Sequence, residues 1–104
     1  MTSGYRPPVH PDAAGVDRKV TEIRARMDEL DSQLVALLNE RASCAKEIGR
    51  LKETVGLEVY QPAREIEVLK HVRSRNDGPL DADAITRLFE RIIDEARRLE
   101  RSTG

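Results

Sequence analysis

Apolar side chains recur in the first half of the chain at Val16, Val20, Ile23, Met27, Leu30, Leu34 and Leu37, at intervals of four and three in alternation. That period belongs to a long helix that buries a single seam. The next positions in the count are Arg41, Ala45, Ile48 and Lys52, so two cations stand where aliphatic residues are due. Eleven residues at about 100° each make roughly three whole turns, which points Arg41 and Lys52 the same way, about 16 Å apart. Each side chain reaches about 6 Å, and the gap between them then has the size of a small molecule. Two readings fit this placement: a pair of cations that share a negatively charged partner, or two stems that snorkel along the seam and put their heads in water.

The seam runs from residue 16 to about residue 54, and Gly56 falls where a left-handed C′ residue ends a helix. About 39 residues at 1.5 Å each give a rod of about 58 Å, whereas a compact domain of about 100 residues has a radius of gyration near 13 Å. The chain cannot cover such a helix by itself, and a second copy is the simplest cover. Residues 57–61 form a short connector, after which Gln61 and Pro62 suit the N-cap and first position of a second helix with apolar positions Ile66, Leu69 and Val72. Asn76, Asp77, Gly78 and Pro79 end it. Asp81 then caps a third helix with the stripe Ile85, Leu88, Phe89, Ile92, Ile93, Ala96 and Leu99. The expected architecture is all-α, with one very long, one short and one medium helix per chain, doubled by a partner. Residues 1–15, with Pro7, Pro8 and Pro11 and no periodicity, read as a flexible arm before a helical domain over 16–104.

Composition narrows the function. A formal net charge of −1 in 104 residues argues against phosphate-driven binding of nucleic acid, and one Phe, two Tyr and no Trp leave little for base stacking. Any anion site is therefore local. The single Cys44 excludes an internal disulfide, suits a reducing compartment and reads as a small core residue rather than a nucleophile. His10 and His71 with no second cysteine offer no credible transition-metal cluster. The first residues contain no apolar run, so neither a signal peptide nor a membrane span is expected and the cytoplasm is the default.

Further polar residues resist a purely structural explanation. Arg64 falls in the first turn of the second helix, where the positive end of the dipole disfavours a cation, while Glu65 is well placed there. Glu100 follows Ile93 by seven residues and Ala96 by four, which extends the third stripe with an anion near a helix C-terminus. The alternative is a frayed last turn with Glu100 in water beside Arg97 and Arg101. Arg24 lies seventeen residues before Arg41, about 100° away around the helix, so it joins that face only from a partner chain. Otherwise it is an exposed charge.

Taken in order, Ile23-Arg24, Leu30-Asp31, Leu37-Leu38, Glu40-Arg41, Glu47-Ile48-Gly49 with Lys52, Val59-Tyr60-Gln61-Pro62 with Arg64-Glu65, and the closing Ile92-Ile93 with Glu100 closely resemble the all-α (AroQ-type) chorismate mutases. The resemblance spans residues 17–101. It implies an intertwined helical homodimer with two sites, each built mainly from one chain and completed by Arg24 from the other. It further implies that Arg24 and Arg41 bind substrate carboxylates and that Lys52 meets a carboxylate and the ether oxygen. Arg64 would extend the cationic wall, Glu65 would take the ring hydroxyl, and Glu100 would face the ether oxygen from the opposite side. The implied reaction, chorismate to prephenate in phenylalanine and tyrosine biosynthesis, is a unimolecular bond shift that calls for no cofactor and no metal.

Three binding positions depart from the commonest family pattern: Gln61 stands where Asp is frequent, Ala96 where Ser is frequent and Glu100 where Gln is frequent. Ala96 deletes a hydroxyl donor, and Gln61 is a mild change if backbone makes the contact there. An ionised Glu100 would repel the charge that grows on the ether oxygen, so it helps only when protonated. Burial and the helix terminus raise its pKa while Lys52 and the arginines lower it, and the sequence leaves the balance open. The nearest rivals are an isochorismate pyruvate lyase of the same fold and a non-catalytic helical dimerisation module, although Gly56 and residues 59–65 look more like a mutase. Docking to another shikimate-pathway enzyme, through the arm or residues 101–104, also fits.

Overall fold

A computed structural model describes residues 13–102 as three helices, α1 (Ala13–Thr54), α2 (Pro62–Arg75) and α3 (Ala82–Ser102). No strand occurs among the described residues. Helix α1 starts three residues earlier than its apolar period, because Ala13 and Ala14 are strong helix formers that need no seam to stay helical. This shortens the expected arm, whose residues 1–12 lie outside the described part. No described helix is long and apolar enough to cross a membrane.

The chain divides into two compact units at Ala36 and Leu37, and α1 contributes to both. In residues 13–36 the helix is supported locally. Thr21 Oγ1 and Ser32 Oγ donate to the carbonyls of Asp17 and Asp28, and Arg26 pairs with Glu29 at 3.2 Å. The seam itself faces outward, with Val16, Ile23, Met27 and Leu34 all more than half exposed.

The second unit, from Leu37 onward, holds the end of α1 together with α2 and α3. Helix α1 stops in a Schellman turn, in which the Leu57 amide donates to the Lys52 carbonyl at 2.9 Å and the Gly56 amide to Glu53 at 3.2 Å. Gly56 supplies the positive φ of 70° that this turn needs. Gln61 opens α2 by its extended backbone alone, its side chain making no capping bond, and its carbonyl accepts from the amides of Arg64 and Glu65. In the turn before α3 the Asn76 side chain donates to the Leu80 carbonyl and accepts from the Gly78 amide. Asp81 Oδ1 caps α3 through the Ala84 amide at 2.7 Å, as expected.

Helices α2 and α3 pack against each other, tied by Arg73 Nη1 donating to Thr86 Oγ1 at 2.9 Å. The inner side of α2 is Glu65, Val68, Leu69 and Val72, whereas Ile66, expected on the stripe, is exposed. On α3, Leu88 is likewise exposed and Ile93 is the one buried hydrophobic residue among those described. A chain with so small a core is left with many apolar side chains in water.

Candidate active site

The spacing that puts Arg41 and Lys52 on one face is realised in a cavity of about 250 Å³ within the second unit. Arg41, Cys44, Ala45, Ile48 and Lys52 come from α1, and Val59, Tyr60 and Gln61 from the connector. Arg64, Glu65 and Val68 come from α2, with Ile93, Ala96, Arg97 and Glu100 from α3. Seven of the eight residues singled out in the sequence therefore share one wall-to-wall site. The eighth, Arg24, lies in residues 13–36 and is not among the lining residues. Cys44, read from the sequence as a small core residue, is instead exposed and lines the cavity, because α2 and α3 leave this face of α1 uncovered there.

Four cations and two carboxylates line the cavity, and they do not act independently. Arg97 Nη2 donates to Glu65 Oε1 at 2.7 Å, joining α3 to α2. The same guanidinium lies 5.0 Å from the centre of the Tyr60 ring, a cation–π distance. Glu65 and Arg97 thus offset each other, and Arg41, Lys52 and Arg64 remain as the charge that an anion meets. Arg64 reaches Glu67 at 3.5 Å, but both side chains are well exposed and such a pair restrains little.

Glu100 has the most unusual setting. Its side chain lies against Gly49, the one buried residue of α1, where no Cβ separates it from the helix backbone. Burial raises its carboxyl pKa above the usual carboxylate range. Lys52, Arg97 and Arg41 pull it down, in that order, and Glu65 adds a smaller push upward. The upward push of burial outweighs the pull of these cations. Ala96 offers only a methyl group to the wall, and Gln61 enters beside the start of α2.

Of the lining residues that the sequence pattern did not single out, Arg97 is the charged one, and Tyr60 is its aromatic neighbour. A signal for Arg97 existed, since it follows Ile93 by four residues and precedes Glu100 by three. It was hidden by its similarity to the solvated Arg98 next to it.

The family model for chorismate mutase type II matches residues 23–101. The bifunctional chorismate mutase/prephenate dehydratase of Pseudomonas aeruginosa is 42% identical over 83 residues, which cover 75% of this chain and 23% of that protein. The chain thus spans about a quarter of the length of that relative, and the same share, 23%, of its counterpart in Neisseria gonorrhoeae, which is 38% identical. Among solved structures, chorismate mutase (form II) from Thermus thermophilus superposes with a TM-score of 0.78 at 34% identity, covering 80% of this chain and 94% of that one.

Proposed function

The chain belongs to the type II chorismate mutase family, and from that premise we propose that its cavity binds chorismate and converts it to prephenate. The observation that carries this reading is that Arg41, Lys52 and Arg64 line one small cavity together with Glu100. In the rearrangement one C–O bond breaks as one C–C bond forms within the same molecule. No nucleophile is needed, so catalysis rests on holding the dianion in its compact reactive conformer and on placing donors where negative charge develops.

Arg41 and an Arg24 supplied by a second copy hold carboxylates, Arg64 extends the cationic wall, and Lys52 spans a carboxylate and the ether oxygen. As the C–O bond stretches, negative charge grows on that oxygen and Lys52 binds the transition state better than the substrate. One preorganised donor of this kind is worth roughly 3 to 4 kcal/mol. Glu100 meets the same oxygen from α3 and donates in its protonated form. Glu65 accepts from the ring hydroxyl while its Oε1 is held by Arg97, and Gln61 and Ala96 complete the wall.

The working unit in this reading is a homodimer. The outward seam of residues 13–36 repeats every three to four residues, and covering a Val, Leu, Ile or Met side chain stabilises by about 1.5–3 kcal/mol. A second copy that lays its own α1 on this seam brings Arg24 to the partner's cavity. The test is turnover of chorismate and of isochorismate by the purified chain, with a thermal melt in the presence of a dianionic chorismate transition-state analogue. Prephenate formation and a raised melting temperature support the mutase, pyruvate release from isochorismate supports a lyase, and no stabilisation by the analogue removes both.

A further inference from the structure

Arg97 joins three segments that the proposed chemistry needs in register. Its Nη2 meets Glu65 Oε1 at 2.7 Å across 32 residues of sequence, and contacts Asp94 Oδ1 at 3.4 Å one turn earlier on α3. Its guanidinium also lies over Tyr60, the residue before Gln61 in the connector. The Arg97 and Glu65 side chains are only 30% and 26% exposed, unlike the solvated pairs elsewhere on the helices. The guanidinium keeps this pose although Nε is buried without an acceptor, so Glu65 and Tyr60 set its orientation rather than the needs of Nε.

We propose that Arg97 is a positioning residue that fixes the Glu65 carboxylate in the cavity wall, so that Glu65 meets the substrate hydroxyl in a single orientation. A glutamate has several rotatable bonds and, when unheld, samples many rotamers. A strong charge-assisted bond from a guanidinium that is itself braced on an aromatic ring removes that freedom before substrate arrives. Only one of the two carboxylate oxygens is used in the bond, and a carboxylate accepts on both.

This inference rests on the mutase reading, and the test separates the two. Steady-state kinetics on wild type, Arg97→Met, Arg97→Lys, Glu65→Ala and the Arg97→Met/Glu65→Ala double variant form the experiment. Arg97→Met is expected to lower kcat/KM about ten- to a hundredfold, the scale of a misplaced contact, and Arg97→Lys, which keeps the charge, to stand between it and wild type. Once the Glu65 carboxylate is removed nothing remains to position, so the double variant should be no slower than Glu65→Ala alone. Losses that multiply, or an Arg97→Met enzyme as fast as wild type, overturn the proposal. If Arg97→Met does not fold, the same cycle is run with Arg97→Lys, where multiplied losses again overturn it. A wild-type chain that does not convert chorismate refutes the mutase reading instead. The position of the Glu65 carboxylate in the structure of Arg97→Met, which has no donor at that position, then decides: a displaced carboxylate supports the positioning role, and an unmoved one ends it.

Discussion

Glu100 of α3 rests directly on Gly49 of α1: a Cβ built on Gly49 would stand 3.6 Å from Glu100 Cγ and 3.9 Å from its Cβ. The missing side chain leaves room for the Glu100 stem against the helix, and burial is the leading cause of the raised carboxyl pKa. At 3.6 Å a methyl group makes an ordinary contact, whereas anything longer occupies the space of the Glu100 stem. Gly49→Ala should therefore fold, with the helix gaining about 1 kcal/mol of propensity. For a domain of this size that is about 4–8 °C in melting temperature. Gly49→Leu should keep its helices yet lose about a hundredfold in turnover as Glu100 is pushed aside. Circular dichroism melts paired with turnover check both, and an active Gly49→Leu chain would show that the placement of Glu100 is unimportant.

The pH dependence follows from the same group. The donating form of Glu100 is the protonated one, and its population falls as pH rises through the raised pKa, so turnover should fall with it. Lys52 and Arg41 from α1, Glu65 from α2 and Arg97 from α3 set where this happens. Glu100→Gln donates at every pH and should flatten the profile, while Arg97→Met, which removes a cation that favours the carboxylate, should move the falling limb to higher pH. The folded chain holds this proton more tightly than the unfolded one. Stability should therefore also fall as pH rises from the ordinary carboxylate value through the raised one, and Glu100→Gln should remove that slope. A wild-type profile that stays flat between about pH 5 and 8 sinks the idea.

Periodicity made the helices and half of the site readable because both are local. Arg41 and Lys52 share a face by arithmetic, and Gly56, Pro62 and Asp81 mark ends by backbone chemistry within a few residues. Ile66 and Leu88 fall on stripes by spacing but lie in water, since a short helix packed along one side has room for only part of its apolar residues. The Glu65–Arg97 pair was out of reach because its partners meet only when α2 folds back on α3. The upward direction of the Glu100 pKa rests on burial, and its stem lies against Gly49; both are tertiary quantities that no spacing encodes.

Lys52 separates catalysis from structure cleanly. Its backbone carbonyl accepts from the amides of Val55 and Leu57 and so closes the end of α1, but its side chain faces the cavity. Lys52→Ala leaves the carbonyl in place, and the helical content should be unchanged. Turnover should drop by about 10²–10³ or more, the cost of losing one preorganised donor to a developing oxyanion. Loss of the fold in place of turnover would mean that the side chain serves the seam.

Arg24 is the residue whose role depends most on a second copy, and complementation tests it directly. Arg24→Ala and Lys52→Ala chains should each be nearly inactive alone. If every cavity takes Lys52 from its own chain and Arg24 from its partner, a mixed dimer holds one cavity with both residues intact and one with neither. Equal amounts of the two chains, unfolded and refolded together, give about half mixed dimers, so about a quarter of wild-type activity should return. If Arg24 serves its own chain, each cavity of the mixed dimer carries one lesion and no activity returns. Refolding each variant separately before mixing supplies the baseline, and recovery confined to the co-refolded sample is the result that an arginine donated across the seam requires.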